Sequence, residues 1–327
     1  MLRKRLLRAF GRRYARHVAR REGPALRLLE SFFRADFRAC TLEEGASTLA
    51  SRFLGFGQRI DAEGFSEALR RGHYRSLRGR DRPVLRSYEF RGFYVTHDIR
   101  NKSQWNAFAI GVHQPGVTHW LRMFAKPNTC ALDIGANAGV LTLELADAVG
   151  STGMVHAFEP NPDAYRLLEN AIERNDLGHF VCVHPFALGQ EDSRTNLAVP
   201  VWNNGAASLR SARAGERAVE VEVRSFDAWW QATGAPRIDV VKLDVEGFEA
   251  TVLQALSGML ERDRPGLVME VSPSRYDAAE MLARLQRLGY RLMRITSEPP
   301  YMAELPVTVS HQVDIVCFPV EEAECIS

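Results

Sequence analysis

The sequence contains no long apolar run. None of its uninterrupted apolar stretches approaches the roughly 18–20 residues that a membrane-spanning helix needs. The N-terminus also lacks the apolar core of a secretory signal. Hydrophobic residues make up 46% of the chain and charged residues 25%, as in soluble globular proteins. We therefore expect a cytoplasmic protein with a sizeable core and no segment that crosses a membrane.

Paired cysteines and clustered histidines are also missing. The chain has 5 cysteines with no CxxC pair, and an odd count suits reduced thiols better than a disulfide framework. Its 9 histidines show no close ligand spacing such as HExxH. Zinc ligation by these residues is therefore disfavoured.

Acidic residues are scarce at the N-terminus, where residues 1–30 hold ten lysines or arginines against Glu22 and Glu30. Within residues 1–21, apolar side chains recur every four positions, which predicts a basic amphipathic helix. Such a helix can pack on protein, bind nucleic acid, or make a peripheral contact with anionic lipid at the inner face of a membrane. An arginine-rich N-terminus also resembles a mitochondrial transit peptide, although this one lacks serine.

From about residue 128 the chain alternates short β-branched runs with segments of helical period. This pattern predicts an α/β fold with a doubly wound, mostly parallel sheet and helices on both faces. We predict strands at 130–134, 154–158, 180–186, 239–245 and 266–271, with a closing antiparallel pair at 290–295 and 313–318. We predict helices at 140–149, 163–175, 248–260 and 276–288. A further strand pair, 194–200 and 218–224, flanks a polar insertion at 203–213.

The N-terminal third is harder to assign. Segments 26–37 and 65–74 have helical period, and 86–97 alternates as strands do. We therefore predict an N-terminal extension over residues 1–100 and an α/β domain over residues 101–327.

The segment LDIGANAG, residues 132–139, follows an apolar predicted strand and opens a predicted helix. Glycines at such a turn let the backbone bend sharply and approach a ligand. A dinucleotide fingerprint GxGxxG would need glycine at positions 137 and 140, where the chain has Asn137 and Val140. The loop is therefore of a nucleotide-binding type that disfavours NAD.

Two acidic residues lie at the ends of the first two predicted strands, on either side of this loop. Asp133 ends the first strand, where a carboxylate can neutralise the cationic amino-acid end of S-adenosylmethionine, directly or through water. Glu159 ends the next strand, where it can accept hydrogen bonds from both ribose hydroxyls. A helix N-cap at Asp133 and a solvated turn at Glu159 are the ordinary alternatives, but both acids at this spacing favour S-adenosylmethionine.

These segments together resemble the FkbM-type methyltransferase family. The resemblance covers about residues 105–295 and is carried by LDIGANAG, HAFEPNPDAYRLLENAIERN, FALGQ and IDVVKLDVEGFEATVL. It implies a class I methyltransferase fold with a mostly parallel, seven-stranded sheet and S-adenosylmethionine as methyl donor. It also implies O-methylation of a hydroxyl on a sugar, glycan or other natural product. The donor-binding residues it implies are Asp133, Gly135, Ala136, Asn137, Gly139, Glu159, Asn161, Phe186 and Ala187. Phe158 and Pro160 are expected to flank the adenosine, whose flat face suits apolar walls.

The segment DVVKLDVEG, residues 239–247, is the second informative motif. Read as a strand, it has Lys242, Asp244 and Glu246 on one face. Ligands of open α/β sheets bind beyond the carboxyl ends of the strands, so Asp244 and Glu246 should face the donor methyl. We expect one of these two to be the general base, with Lys242 orienting it or the acceptor and Glu270 as a further carboxylate at the same rim. The alternative is a partly buried Lys242–Asp244 ion pair of little net stability.

No metal is expected, although Asp244, Glu246 and a third oxygen ligand could bind Mg²⁺. Segment 203–208 resembles the family's small-residue loop; it can line the acceptor pocket or form an ordinary hairpin turn.

Two other functions stay open at this point. One alternative is an RNA or protein methyltransferase, since the arginine-rich N-terminus could bind the phosphates of a nucleic acid. Against this alternative, no NPPY-like amine-binding motif comes after a predicted strand. The expected partner is therefore a small molecule or glycan, with nucleic acid disfavoured. A non-catalytic scaffold could use residues 1–100 to bind a partner or a membrane, but the intact acidic donor positions argue against it.

Overall fold

The computed structural model describes residue 77 and residues 82–111, 113–200, 207–209, 212–306 and 308–322. The predicted helices at 1–21, 26–37 and 65–74 lie outside the described residues. The chain divides into two compact units: Met1–Gly92 with Thr96–Val112, and Phe93–Val95 with His113–Ser327. The predicted boundary at residue 100 stays a prediction.

A short hairpin and a helix come first among the described elements. Strands β1 (Leu85–Phe90) and β2 (Phe93–Asp98) form a two-stranded sheet, as the alternation at 86–97 predicts, and helix α1 follows at Lys102–Ile110. The turn between the strands is Arg91–Gly92, where both residues have positive φ (48° and 89°).

The second unit carries the predicted α/β fold. Its strands are β3 (Cys130–Ile134), β4 (Met154–Phe158), β5 (Val181–His184), β6 (Ala187–Gly189), β7 (Ser193–Pro200), β8 (Ser208–Leu209), β9 (Glu216–Ser225), β10 (Val240–Leu243), β11 (Gly266–Val271), β12 (Tyr290–Ile295), β13 (Met302–Glu304) and β14 (Val313–Pro319). Its α-helices are α2 (Pro115–Phe124), α3 (Val140–Val149), α4 (Pro162–Arg174), α5 (Phe226–Ala232), α6 (Glu249–Ala255), α7 (Ser257–Asp263) and α8 (Ala278–Arg287). Within the described residues, no helix has the length and apolarity needed to cross a membrane.

The main sheet has eight strands in the order β13-β12-β14-β11-β10-β3-β4-β5. The five strands from β11 to β5 pair in parallel, whereas β14 runs antiparallel to both β11 and β12. The sheet confirms the predicted class I methyltransferase fold. The short strand β13, which pairs with β12, adds one strand to the predicted seven.

Buried apolar side chains cover both faces of this sheet. On one face the core joins β3, β10 and β11 to helices α5 to α8. On the other, α3 packs against β3 and β4, and α2 against β10 and β11. Both faces of the central strands are therefore enclosed, which explains why every residue of β3 and β11 is buried.

The predicted inserted strand pair forms a separate small sheet. Strands β7 and β9 pair antiparallel, as predicted, within a four-stranded sheet of order β6-β9-β7-β8. The structure describes Ala207 to Leu209 of the predicted insertion, while residues 201–206 lie outside the described residues.

Several predicted elements are shorter or broken in the structure. The strand predicted at 180–186 is β5 (Val181–His184), and the helix predicted at 276–288 is α8 (Ala278–Arg287). The helix predicted at 248–260 is two helices, α6 and α7, because the Ser257 hydroxyl donates to the main-chain oxygen of Gln254 at the junction (2.5 Å). The strand predicted at 239–245 ends at Leu243, and the chain turns at Glu246 (φ 54°) and Gly247 (φ 104°).

Gly266 offers a test of packing between α2 and β11. A Cβ atom at this position would lie 2.4 Å from the Phe124 ring, whereas a Cβ at the helical Gly258 would meet nothing within 4 Å. We expect Gly266→Ala to lower the free energy of unfolding by about 1–3 kcal/mol because overpacking forces the ring to move.

Gly258→Ala is the matched control, because alanine favours a helix over glycine by about 1 kcal/mol. Urea unfolding measures both variants. Equal stability of the two variants would contradict the packing described at Gly266.

Candidate active site

The loop between β3 and α3 makes the turn that the glycines predict. Gly135 and Gly139 have φ of 84° and 86°. A Cβ at Gly135 would lie 1.9 Å from the main-chain oxygen of Asp244, and one at Gly139 would lie 2.7 Å from Leu168 Cδ1. The amides of Gly135 and Ala136 both donate to the Phe158 carbonyl (3.0 Å each). Only glycine fits at position 135, so the loop lies in direct contact with the end of β10.

Asp133 is enclosed beneath this loop. Its side chain is fully buried; Oδ2 accepts from Thr142 Oγ1 (2.6 Å), and Oδ1 lies 3.1 Å from Lys242 Nζ. Lys242 Nζ also donates to the Gly135 carbonyl (2.6 Å). The close partner of Lys242 is thus Asp133, and not the Asp244 of the predicted alternative.

The charge state of Lys242 follows from these contacts. Burial alone lowers the pKa of Lys242, but the charges of Asp133 and Asp244 outweigh burial and raise the pKa above its ordinary value. A permanently protonated Lys242 cannot take a proton from an acceptor. Lys242 and Asp133 together hold the loop carbonyl in place.

Glu159 reaches the same loop from the end of β4. Its Oε2 accepts from the Asn137 amide and its Oε1 from the Asn161 amide, both at 2.7 Å. Each carboxylate oxygen keeps a second lone pair, so the two ribose hydroxyls predicted to bind here still have acceptors. Burial raises the pKa of Glu159 to about 7, against the lowering effect of the two amide hydrogen bonds.

The predicted adenosine walls divide into buried and partly open residues. Phe158 is fully buried and stacks on His184, with ring centroids 4.6 Å apart. Phe186 is 4% exposed and lies beneath the guanidinium of Arg224. Pro160 keeps intermediate exposure. Of these residues, Pro160 offers the more accessible apolar surface.

The remaining predicted donor residues lie around the same loop. Asn137 has a left-handed backbone (φ 51°), and its side chain accepts from the Ala138 amide (2.8 Å). Asn161 caps helix α4 by accepting from the Asp163 amide (3.2 Å). Ala187 begins β6 and is buried. The structure brings the predicted donor residues into one region.

A row of carboxylates crosses the sheet next to this loop. Glu270 of β11 and Asp314 of β14 are direct cross-strand partners. Asp244 follows Leu243, whose partner on β11 is Met269, so Asp244 lies level with Glu270. Like charges on neighbouring strands repel each other and destabilise the fold. Arrangements that lower stability in this way are expected at functional sites.

Glu246 joins the row from the turn after β10 and not from the strand. The prediction from strand alternation is therefore wrong for Glu246, because the alternation stops at Leu243. Its carboxylate lies 3.5 Å from Arg275 Nη2 and its side chain is 24% exposed. Glu249, fully buried in α6, accepts from the amides of Val245 and Gly247 and fixes the same turn.

Burial and mutual repulsion raise the pKa values of these acids. Burial, with the charge of Asp244, raises the pKa of Glu246 to about 7 and that of Glu270 to about 8. The same two causes raise the pKa of Asp314 to about 6. Carboxyl groups with pKa values near neutrality suit proton transfer at physiological pH.

One group of carboxylates could hold a divalent cation. Among the described residues, Asp244, Glu249 and Glu270 offer oxygens that all lie within 4.8 Å of one another. Glu249 already accepts two amides, and Glu270 accepts from Gln312 and Ser272, so a cation would compete with these donors. Glu246, named in the sequence prediction, is not in this group.

Sequence reasoning missed several residues of this region. Thr142, Arg275 and Asp314 contact the predicted residues Asp133, Glu246 and Glu270, respectively. Glu249 accepts from the amides of the turn that carries Glu246. For Glu249 the available signal was an acidic residue in the first turn of a helix, which favours amide contacts. The others depend on tertiary packing that no local pattern encodes.

Comparison with known proteins identifies similar methyltransferases. A family model for the methyltransferase FkbM domain matches residues 133–292. The hexuronic acid methyltransferase AglP of Haloferax volcanii is 29% identical over 141 residues, covering 42% of this chain and 54% of AglP. The matched part thus spans about half the length of that relative.

Two solved structures are similar at low identity. An FkbM methyltransferase from Methylobacillus flagellatus is 13% identical with a TM-score of 0.39, over 82% of this chain and 65% of that one. A SAM-dependent O-methyltransferase from Thermotoga maritima is 15% identical with a TM-score of 0.37, over 64% of this chain and 66% of that one.

The strand order of the main sheet, with the glycine loop after β3, is that of the class I methyltransferase fold. Residues 133–292 form a methyltransferase domain of the FkbM type, which confirms the resemblance carried by the sequence motifs.

The raised pKa values make stability depend on pH. Glu159, Glu246 and Glu270 hold protons in the folded state at pH values where the unfolded chain has lost them. Their contribution to stability is complete below pH 4 and is lost as pH rises through 7 to 8. We expect a lower Tm at pH 8.5 than at pH 6, by about 2–4 °C for each kcal/mol lost.

Thermal unfolding of Glu270→Gln should show a weaker decrease, because one titrating group is gone. Glu280→Gln, at an exposed position, is the control and should keep the wild-type slope. A Tm that rises from pH 6 to pH 8.5 would contradict the description of these acids.

Proposed function

We propose that this protein transfers the methyl group of S-adenosylmethionine to a hydroxyl of a sugar or glycan, with Glu246 as the general base. The observation that carries the proposal is the carboxylate row beside the donor loop. The close approach of Gly135 to the Asp244 carbonyl brings the loop and the row into contact. A donor bound on residues 135–139 would therefore have acidic groups next to its reactive end.

The chemistry requires little beyond alignment and one proton acceptor. The acceptor oxygen attacks the methyl carbon, the carbon–sulfur bond breaks, and its electron pair leaves on the neutral sulfur of S-adenosylhomocysteine. The hydroxyl proton passes to a carboxylate. Alignment contributes most of the acceleration, with effective molarities up to about 10⁵–10⁸ M in favourable cases.

Glu246 suits the role of base better than its neighbours. Glu249 is sealed in the interior, and Glu270 is 7% exposed with both oxygens hydrogen-bonded. Asp244 is nearer the donor loop, where we infer that it holds the donor or the charge of Lys242. Glu246 keeps a partly open side chain and a pKa near 7.

The acceptor class follows from the relative and from charge. AglP acts on a hexuronic acid, a sugar that offers both hydroxyls and a carboxylate for methylation. A carboxylate acceptor needs no base and would be repelled by Asp244, Glu246 and Glu270. The acidic row therefore favours a hydroxyl, which needs a base and can donate hydrogen bonds to carboxylates.

A peripheral membrane contact through residues 1–21, with a cytoplasmic location, stays a proposal.

The test uses tritiated S-adenosylmethionine with p-nitrophenyl β-D-glucuronide and p-nitrophenyl β-D-glucoside as acceptors. We expect transfer to a hydroxyl, giving an ether that survives mild alkali. Label released by alkali as methanol would show a carboxyl ester and contradict the hydroxyl assignment. Binding of S-adenosylhomocysteine without transfer to either sugar would favour another acceptor or a scaffold. A parallel reaction with EDTA tests whether methyl transfer needs a divalent cation held by Asp244, Glu249 and Glu270.

If Glu246 is the base, Glu246→Gln should lower kcat by roughly 10²–10⁴-fold while the affinity for S-adenosylhomocysteine stays unchanged. Asp244→Asn should weaken donor binding as well as turnover, because Asp244 adjoins the loop. Single-turnover rates and calorimetric titrations measure the two quantities. Near-wild-type turnover of Glu246→Gln would transfer the role to Asp244 or Glu270.

A further inference from the structure

The turn after β10 has a backbone that needs external support. Glu246 lies in the left-handed region (φ 54°), which non-glycine residues seldom adopt, and Gly247 follows at φ 104°. Such a conformation persists where the surrounding structure holds it, and it is frequent at functional sites. Residues packed around the turn must therefore hold Glu246 in this conformation.

Arg275 contacts this turn from outside. It lies between β11 and α8, and its Nη1 donates to the main-chain oxygen of Glu246 (2.7 Å). Its Nη2 lies 3.5 Å from Glu246 Oε2. A Cβ at Gly247 would lie 2.4 Å from Arg275 Cδ, so the stem of this arginine packs directly on the glycine. One side chain thus contacts the main chain, the carboxylate and the following residue.

Ser208 of β8 completes the contact from the small sheet. Its hydroxyl donates to the same main-chain oxygen of Glu246 (2.6 Å) and accepts from Arg275 Nη1 (3.1 Å). Three segments that are distant in the sequence therefore meet at one carbonyl. Because Glu249 holds the amides of Val245 and Gly247 from inside, the turn is fixed on both sides.

We propose that Arg275, supported by Ser208, is a positioning residue that holds the carboxylate of Glu246 in place for proton transfer. This inference rests on the proposed role of Glu246 as base. The Arg275 side chain is 36% exposed, and a partly exposed ion pair contributes little to stability. Removing Arg275 should therefore disturb catalysis much more than folding.

The guanidinium of Arg275 also counters the negative charges around Glu246. Asp244 precedes Glu246 in the chain, Glu249 lies in α6, Glu270 in β11, and Lys242 is enclosed beneath the loop. The three carboxylates repel Glu246, while Arg275 attracts it. Without Arg275 the side chain should turn away from its acidic neighbours toward solvent.

The test compares Arg275→Gln, Arg275→Lys and Ser208→Ala in methyl transfer to p-nitrophenyl β-D-glucuronide. We expect Arg275→Gln to lower kcat by roughly 10–100-fold, as for a misplaced catalytic group, with unchanged affinity for S-adenosylhomocysteine and unchanged Tm. Lysine should restore part of the loss, and Ser208→Ala should have the smallest effect. Arg287→Gln is the control, because it removes an exposed arginine paired with Glu280 at the end of α8.

A double-mutant cycle identifies the residue through which Arg275 acts. In the Glu246→Gln background, Arg275→Gln should cause no further loss of kcat, because its target is already gone. A fully additive loss would overturn the inference, as would an equal loss of donor affinity and Tm in the single variant. Wild-type turnover by Glu246→Gln would overturn both this inference and the base assignment.

Failure of the proposed function has a different signature, namely no transfer by the wild-type protein to either sugar probe. Amide hydrogen exchange then decides the role of Arg275, because it needs no acceptor. Arg275→Gln should speed exchange at the amides of residues 245–247, and unchanged exchange would overturn the inference.

Discussion

The buried ion pair between Lys242 and Asp133 is the interaction on which the site depends. It joins the two central strands β3 and β10, and through the Gly135 carbonyl it fixes the donor loop above them. Both side chains are almost fully buried (5% and 0% exposed), so removing one would leave a buried charge without compensation, which typically costs about 3–5 kcal/mol. Thr142 satisfies the other oxygen of Asp133 from helix α3. The loop therefore has one permitted position, directly against the end of β10.

That position concentrates acidic groups where a positively charged donor would bind. Glu270 and Asp314 are cross-strand partners on β11 and β14. Asp244 directly follows β10 at the same level, and Glu246 joins them from the turn. Their repulsion lowers the stability of the empty protein, and a sulfonium donor would relieve part of it. Burial, together with this repulsion, raises the pKa of Glu246 toward neutrality, which a general base needs. Stability is thus reduced where chemistry is proposed, as is common at functional sites.

The sequence predicted the elements well where local pattern decides structure. Strands β3, β4 and β11 and helix α3 have the predicted bounds, because apolar runs end there at glycines or polar turns. The turn at Glu246 was not predictable from alternation, since its conformation depends on Arg275 and Glu249. The partner of Lys242 was also missed, because the pairing of β3 with β10 crosses more than a hundred residues of chain. Local periodicity does not show which residues of two strands distant in the sequence lie side by side.

A crystal structure of the protein with S-adenosylhomocysteine tests the central claim most directly. The account predicts that the nucleoside lies on the Gly135–Gly139 loop, with both ribose hydroxyls hydrogen-bonded to the carboxylate of Glu159. The sulfur should face Asp244 and Glu246, and the Lys242–Asp133 pair should stay closed beneath the loop. Ribose hydroxyls bound elsewhere, or a sulfur turned away from the carboxylate row, would contradict it.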